Sequence, residues 1–227
     1  MLVLIQARMN SKRLPKKVLF KINNKEILLH IITKLKKCKR KINLVVATSN
    51  SKHDLPIVQF CKKNKIKFYR GDLEDVSLRL LKAAKKFKSK YFIRICGDSP
   101  LVDSSIIDKM IKISKQKTKF DLISNREDKS IPPGQTVEII KTRTLEKSYK
   151  LFFLKRHYEH VTKYFYENKK KFLIFKTSLF KEKTSLKLTI DTKKDFEKMK
   201  FIIEKLSNFK NLRLKQIQKV YKKLGYV

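Results

Sequence analysis

The sequence predicts an α/β fold, with a mainly parallel mixed sheet flanked by helices. Short apolar runs alternate with segments of helical periodicity, and the first half of the chain keeps a strand–helix–strand order throughout. Such alternation favours parallel strands joined by right-handed crossovers. At 227 residues, the chain is long enough to bury a substantial core. We therefore expect a single domain over residues 1–227.

The first half of the chain supplies the expected parallel strands. Apolar runs of strand length lie at 2–6, 43–48, 66–69, 91–96 and 120–124. Apolar residues at helical spacing lie between them, near 26–38, 54–64, 74–88 and 104–117. The carboxyl ends of these strands should meet at one edge of the sheet, where α/β folds bind their ligands.

The pattern changes after residue 130. Further strands are expected at 137–140, 172–178 and 186–190, and further helices at 142–151, 155–167, 193–206 and 213–223. We interpret the run Pro132-Pro133-Gly134 as a turn and not as a domain boundary.

The loop after the first expected strand is strongly basic. In VLIQARMNSKRLPKKVL (3–19) an apolar run is followed by cations and no acidic residue: Arg8, Lys12, Arg13, Lys16 and Lys17. Arginine binds a phosphate through paired hydrogen bonds, lysine supplies a point charge, and Ser11 adds a hydroxyl donor. The loop has no glycine, so it is not a Walker loop, and Asn10 is the residue expected to adopt a positive φ. These features indicate a polyanion site, with a solvated basic loop as the alternative.

The segment A-R-M-x-S-x-R-L-P-x-K-V-L (7–19) resembles the N-terminal signature of sugar-activating cytidylyltransferases. The resemblance is to the SpsF-type (spore coat polysaccharide biosynthesis) branch, which is similar to acylneuraminate and 3-deoxy-manno-octulosonate cytidylyltransferases. It implies a Rossmann-like nucleotide-diphospho-sugar transferase fold and CTP as a substrate. It also implies nucleotide contacts for Ala7, Arg8, Ser11, Arg13 and Lys17, with Arg8 and Lys17 as catalytic residues. Many members have glycine at the positions of Asn10 and Lys16.

A candidate metal ligand follows the strand expected at 91–96. In R-I-C-G-D-S-P-L-V-D (94–103), Gly97 permits a tight exit and leaves Asp98 at the carboxyl end of the strand. Asp98 could instead be a turn residue that caps its own backbone, while Asp103 has the position of a helix N-cap. The stretch is similar to the family's G-D-x-P-L-[IV]-D, whose first aspartate holds magnesium.

A second candidate ligand is Asp191, in L-K-L-T-I-D-T-K-K-D-F (186–196). Thr192 and Asp195 have the spacing of a capping box and could be purely structural. The family's similar [LV]-T-[IV]-D-T-x-x-D segment implies that Asp191 joins Asp98 in binding Mg²⁺. Two carboxylates leave coordination positions for phosphate and water, as Mg²⁺ prefers.

Two segments after the second and third strands indicate the nucleotide side. A-T-S (47–49) and R-G-D-L-E-D-V-S-L-R (70–79) are similar to family stretches near the base and ribose. The resemblance implies contacts for Thr48, Gly71, Asp75 and Arg79. For Asp75 the alternative is a carboxylate in the first turn of a helix.

The sugar side is expected in the second half. P-P-G-Q-T-V-E (132–138) resembles the family's P-x-G-x-D-V-E, although Thr136 replaces the aspartate, and R-H-Y-E-H-V-T (156–162) resembles R-E-H-V-T. The resemblance implies acceptor contacts for Glu138, Arg156 and His160. His160 could instead be a structural histidine, and we expect His157 at the surface.

The formal charge of +38 raises the possibility of a nucleic-acid binder. The excess is mostly lysine, scattered along nearly every expected helix, and the aromatic residues lack the spacing of a stacking platform. We expect no specific nucleic-acid partner, only weak binding at low salt. The cysteines are unclustered, which disfavours a disulfide framework or a zinc site. With no long apolar run and no signal-peptide pattern, we expect a cytoplasmic protein without membrane insertion.

We therefore expect a nucleotidyltransferase that transfers CMP from CTP to a sugar or sugar-acid acceptor and releases pyrophosphate, in surface glycan or polysaccharide biosynthesis. Mg²⁺ is the expected cofactor. The sequence does not fix the oligomeric state; since similar enzymes are often dimers, the resemblance leaves a homodimer as one alternative. The alternatives are a nucleotidyltransferase that uses another triphosphate such as UTP, and a noncatalytic nucleic-acid-binding protein.

Overall fold

The computed structural model describes residues 1–117, 119–177, 186–206 and 213–223. In chain order its strands are β1 (Leu2–Gln6), β2 (Lys21–Ile22), β3 (Lys25–Glu26), β4 (Asn43–Ser49), β5 (Lys67–Gly71), β6 (Tyr91–Cys96), β7 (Leu122–Ser124), β8 (Glu138–Lys141) and β9 (Ile174–Lys176). Its α-helices are α1 (Ile27–Leu35), α2 (Leu55–Lys63), α3 (Val76–Lys86), α4 (Ser104–Gln116), α5 (Thr142–Tyr149), α6 (Lys155–Glu159), α7 (Lys163–Glu167), α8 (Lys193–Lys205) and α9 (Leu214–Lys223). Short 3₁₀ helices span Lys17–Leu19, Lys52–Asp54 and Lys169–Lys171.

A seven-stranded sheet in the order β5-β4-β1-β6-β8-β7-β9 forms the centre of the fold. β1 is parallel to β4 and β6, β4 is parallel to β5, and β7 is parallel to β9. Only β8 in this sheet is reversed, since it pairs antiparallel with both β6 and β7. The mainly parallel mixed sheet predicted from the sequence is confirmed.

The register brings the ends of the parallel strands to one edge. Gln6, the last residue of β1, lies opposite Ala47 on one side and Cys96 on the other. Ser49 and Gly71, the last residues of β4 and β5, are also paired. The loops after β1, β4, β5 and β6 therefore open at the same edge of the sheet.

Each face of the sheet packs against its own layer of helices. Val3 and Ile5 of β1 belong to a buried cluster that includes Ile106 and Met110 of α4. The alternate residues Leu2 and Leu4 belong to a second cluster, with residues of α3, α5 and α7. This alternation follows from the two-residue period of a strand, and it places helices on both faces of the sheet.

Two elements differ from the sequence prediction. Residues 186–190 form no strand: the Leu188 N–H donates to Pro133 O at 2.8 Å and the Ile190 N–H to Asp98 O at 2.9 Å. The apolar alternation there reflects burial against the core and not pairing in a sheet. The single helix expected at 155–167 is two, α6 and α7, because His160 (φ −111°, ψ 88°) leaves the helical region. Residue 178, the end of the strand expected at 172–178, lies outside the described residues.

Among the helices that the structure describes, none has both the length and the hydropathy needed to cross a bilayer.

Candidate active site

The basic loop after β1 is folded by its own backbone. Met9 O accepts hydrogen bonds from the N–H groups of Ser11 at 3.0 Å and Lys16 at 2.7 Å. Lys16 has a φ of 64° and directly precedes the 3₁₀ helix that begins at Lys17. The prediction that Asn10 adopts a positive φ is wrong; the left-handed residue of this loop is Lys16, where the chain reverses into the helix.

A buried carboxylate ties this loop to the end of β4. Asp54, which is fully buried, accepts from the Met9 N–H at 2.7 Å. It also accepts from the hydroxyls of Ser49 at 2.5 Å and Thr48 at 3.1 Å. Sequence reasoning missed Asp54, although its position just before α2 was a signal. Because the Thr48 hydroxyl donates its hydrogen to Asp54, Thr48 has a structural contact: it holds the carboxylate that binds the basic loop.

Lys17 brings the two candidate metal ligands together. Its ammonium lies 3.3 Å from Oδ2 of Asp98 and 3.4 Å from Oδ1 of Asp191, and it also donates to the Ile190 carbonyl. The side chain is only 10% exposed. An ammonium so enclosed neutralises both carboxylates, so the basic loop and the two aspartates form one charged cluster.

Asp98 is delivered by a close approach of β6 to β1. The Gly97 N–H donates to Gln6 O at 2.9 Å. A Cβ on Gly97 would lie 2.8 Å from that same oxygen. Glycine is therefore required at the turn that precedes Asp98.

Asp191 is surrounded by cations. Besides Lys17, Arg13 lies 3.0 Å from its Oδ1 and Lys187 lies 3.2 Å from its Oδ2. Burial alone would raise the pKa of this carboxyl, but the charges of Lys17, Lys187 and Arg13 outweigh burial and lower the pKa. Asp191 therefore remains ionised.

All of the residues predicted to bind phosphate or metal, together with the expected acceptor residue His160, line one cleft of about 340 Å³ at the carboxyl edge of the sheet. Those found there are Ala7, Arg8, Ser11, Arg13, Lys17, Asp98, His160 and Asp191. Arg8 pairs with Glu159 at 3.3 Å, a partner that sequence reasoning missed. A larger hollow of about 510 Å³ lies at the opposite edge and is lined by basic and apolar residues without a carboxylate. The cleft of about 340 Å³ is the candidate site because it combines the cations of the basic loop with Asp98 and Asp191.

A side cavity of about 110 Å³ adjoins this cleft and is lined by Gln6, Ala7, Arg8, Val76, Arg79 and Glu159. Arg79 is 2% exposed, and its Nη1 donates to Asp72 O at 2.6 Å. Its Nε has no partner among the described residues. Burial lowers the pKa of Arg79 to about 10. Of the residues expected near the base and ribose, Arg79 is thus the one that faces a cavity.

The other two residues expected near the nucleotide have structural contacts. A Cβ on Gly71 would lie 2.9 Å from Cγ of Arg79, so this glycine makes room for the arginine. Asp75 caps α3 by accepting from the Leu78 N–H at 2.7 Å, and it accepts from the Tyr149 hydroxyl at 2.6 Å.

The expected acceptor residues separate in space. His160 lines the cleft, whereas Arg156 is half exposed, pairs with Glu167 at 2.8 Å, and is not among the residues that line the cleft. Glu138 is buried, with one oxygen 2.6 Å from Arg94 and the other 2.9 Å from the Tyr166 hydroxyl.

The expectation that His157 lies at the surface is wrong. Its side chain is 1% exposed, because aromatic rings pack around it and its Nε2 lies 2.7 Å from Glu167.

A mainly parallel sheet whose carboxyl edge carries a cationic loop beside two aspartates is an α/β arrangement suited to binding nucleotide phosphates. Residues 2–224 match the family model described as cytidylyltransferase, and the chain belongs to that family. The enzyme is therefore a nucleotidyltransferase.

Relatives and solved structures agree with this assignment. The spore coat polysaccharide biosynthesis protein SpsF of Bacillus subtilis is 30% identical over 215 residues, which cover 90% of this chain and 86% of that protein. A cytidylyltransferase from Leptospira borgpetersenii is 32% identical and superposes with a TM-score of 0.93, covering 99% of this chain and 94% of that one. CMP:2-keto-3-deoxy-manno-octonic acid synthetase, complexed with CTP, shares the fold at 15% identity and a TM-score of 0.68, over 90% of this chain and 98% of that one.

Proposed function

We propose that this enzyme transfers CMP from CTP to a sugar or sugar-acid acceptor and releases pyrophosphate, as a step in surface glycan or polysaccharide biosynthesis. The observation that carries the proposal is the meeting of Arg8, Arg13 and Lys17 with Asp98 and Asp191 in one cleft. Family membership and the similarity to SpsF support cytidylyl transfer and the link to polysaccharide synthesis.

The basic loop is proposed to bind the triphosphate. Arg8 and Arg13 are forked donors suited to phosphate oxygens, and Ser11 adds a hydroxyl on the same wall. The acceptor oxygen attacks the α-phosphorus, and the bond to the pyrophosphate leaving group breaks. Negative charge then grows on the leaving group beside Arg8 and Lys17, whose fixed positions stabilise that charge without reorganisation.

Asp98 and Asp191 fit a divalent cation. Both carboxylates lie within 3.4 Å of one ammonium, so a single positive group already meets both of them. In the described part of the chain, no group of three or more His, Cys, Asp or Glu side chains could hold a metal by itself. The remaining ligands would be phosphate oxygens and water, as is usual for Mg²⁺. When bound, Mg²⁺ would neutralise charge on the phosphate oxygens.

The nucleotide and acceptor sides are proposed to flank this centre. Arg79 faces the side cavity, and Gly71 leaves room for its side chain. Asp75 caps the helix that carries Arg79, and Thr48 bonds to Asp54 behind the basic loop. His160 is the expected acceptor residue that the cleft contains. Glu138 is proposed to support acceptor binding indirectly, through its ion pair with Arg94. Arg156 is proposed to contact the acceptor from the exposed surface next to the cleft.

Incubation with CTP, Mg²⁺ and a panel of acceptors tests the proposal. The panel contains nonulosonic acids, other sugar acids and sugar phosphates, and products are detected by mass as CMP conjugates alongside released pyrophosphate. UTP, ATP and GTP in parallel test the choice of nucleotide. Tight, salt-sensitive binding of RNA or DNA with no Mg²⁺-dependent turnover would contradict the proposal.

A further inference from the structure

A polar row crosses one face of the sheet directly beneath the cleft. Away from the carboxyl edge this face is apolar, and the register aligns Leu2, Phe92, Ile140 and Leu122 across β1, β6, β8 and β7. Two residues nearer the carboxyl edge, Arg94 of β6, Glu138 of β8 and Ser124 of β7 are aligned instead. The residue of β1 paired with Arg94 is the apolar Leu4. β1 ends on this face in Gln6.

The row holds Arg94 in a fixed position. Its Nη1 lies 2.6 Å from Oε2 of Glu138, whose side chain is 1% exposed. The other oxygen of Glu138 accepts from the Tyr166 hydroxyl at 2.9 Å. Well-packed apolar residues are often as stable as a buried ion pair. Stability alone therefore does not account for a charged row at this position.

Arg94 in turn fixes the orientation of Gln6. Its Nε donates to Oε1 of Gln6 at 2.9 Å. Because a guanidinium only donates, the amide oxygen of Gln6 must face Arg94, and the two amide N–H donors must point away from it. Within the described ranges, no group accepts a hydrogen bond from those donors. Gln6 lines both the cleft and the side cavity.

We propose that Gln6 is a substrate-binding residue, whose amide donates a hydrogen bond to an accepting atom of the bound substrate. Arg94 is the positioning residue that orients it. The proposal rests on the function proposed above. The accepting atom belongs either to the nucleotide, as a base or ribose atom, or to a hydroxyl or carboxylate oxygen of the acceptor sugar.

Two substitutions of Gln6 separate this role from a structural one. Gln6→Met removes the amide, whereas Gln6→Glu keeps an oxygen for Arg94, loses the N–H donors and adds a negative charge, so the uncharged Gln6→Met carries the comparison and Gln6→Glu shows whether the Arg94 contact is kept. CTP binding is measured by calorimetry without acceptor, and KM for the acceptor is measured at saturating CTP. We expect both variants to bind one of the two substrates about tenfold more weakly, with the thermal stability of Gln6→Glu unchanged or higher.

Whichever of the two measurements changes, CTP binding or the acceptor KM, identifies the substrate that carries the accepting atom. Weaker CTP binding assigns it to the nucleotide, and a raised acceptor KM with normal CTP binding assigns it to the sugar. Gln59→Met, on the exposed surface of α2, is the matched control. Wild-type CTP binding together with a wild-type acceptor KM in both Gln6 variants would overturn the proposal.

A second set of variants tests the positioning role. Arg94→Met alone leaves Glu138 buried without its partner, so it is combined with Glu138→Gln. This pair should reproduce the loss seen in Gln6→Met, for the same substrate and mainly in KM. Adding Gln6→Met should cause no further loss, since both changes remove one interaction; full additivity would contradict the role of Arg94. A wild-type enzyme that binds CTP but forms no conjugate would contradict the proposed transfer and leave the binding tests of Gln6 in force.

Discussion

The ammonium of Lys17 lies 3.3 Å from Oδ2 of Asp98, and the same ammonium is 3.4 Å from Oδ1 of Asp191. One buried cation thus holds together two carboxylates that would otherwise repel each other. The residue expected to bind phosphate and the residues expected to bind metal are therefore coupled.

Loss of either member of this pair should abolish efficient turnover. Lys17→Ala and Asp98→Asn should each lower pyrophosphate release from CTP by about 10²-fold or more, because each removes a fixed charge at the reacting phosphates. Circular dichroism checks that the fold is retained. Lys21→Ala, which removes an exposed cation of β2 that does not line the cleft, is the control and should lose much less. Near-normal turnover in either test variant would refute the assignment.

Lys17→Met should bind divalent cations more tightly than the wild type when nucleotide is absent. The ammonium competes for the oxygens of Asp98 and Asp191. Its removal takes from Asp98 the ion-pair partner that the structure gives it, while Asp191 keeps Arg13 and Lys187. We expect at least a tenfold gain in Mn²⁺ affinity by electron paramagnetic resonance, and a larger rise in Tm with Mn²⁺ than for wild type. Equal Mn²⁺ affinities of Lys17→Met and the wild type would show that Lys17 does not compete with the metal for Asp98 and Asp191.

Lys16→Gly should stabilise the enzyme. Lys16 has a φ of 64°, a conformation that strains a side-chain-bearing residue by about 1–2 kcal/mol. Glycine removes that strain but loses more entropy on folding, so the net gain should be about 0.5–1 kcal/mol in urea unfolding. Lys12→Gly, on the same loop without a positive φ, should instead lower stability. A loss in Lys16→Gly as large as in this control would contradict the argument.

Asp195 should support stability at neutral pH and lose that effect in acid. Burial alone would raise the pKa of its carboxyl, but hydrogen bonds from Lys187, Thr192 and the backbone lower it to about 2. Since this folded-state pKa is below the ordinary aspartate pKa of 3.8, the contribution is complete above pH 3.8 and declines as pH falls towards 2.

Asp195→Asn, which weakens the capping box of α8, measures this contribution. It should cost about 1 kcal/mol of unfolding free energy at pH 7, and the difference from wild type should shrink at pH 2.5. A difference that does not change with pH would show that the charge of Asp195 is not involved.

Gly134→Ala should destabilise the fold and displace the segment before Asp191. Gly134 has a φ of 98°, and a Cβ there would lie 2.5 Å from Leu188 O. Strain and collision together should cost about 2 kcal/mol or more. Lys129→Ala, at an exposed position in the same connection between β7 and β8, is the comparison. A Gly134→Ala enzyme with wild-type Tm would contradict this packing.

The pattern of the chain was enough to predict the sheet and most helices, because apolar periodicity records which faces are buried. The prediction from this pattern failed where a segment is buried without being hydrogen-bonded in a sheet. Leu188 and Ile190 alternate with polar residues as in a strand, yet their N–H groups bond to loops. His157 was expected at the surface because its polarity gave no sign of the aromatic rings that cover it.

The edge of the sheet at which the candidate site lies could be predicted from the sequence, but the contacts between its side chains could not. Strand order brings Arg8 and Asp98 to one edge from the sequence alone. The bridging position of Lys17 depends on distances between segments far apart in the chain, which no local pattern records. Arg94 was visible as a lone charge in the apolar strand YFIRIC, but its partners Gln6 and Glu138 were not.

The segment before Asp191 is anchored through its main chain, since the N–H groups of Leu188 and Ile190 bond to Pro133 O and Asp98 O. Evolution can therefore exchange the apolar side chains at these two positions for others of similar bulk without moving the carboxylate that follows. Proline at either position would remove an N–H and the hydrogen bond that holds this segment in place. Homologues should accordingly drift freely in side-chain identity there while avoiding proline.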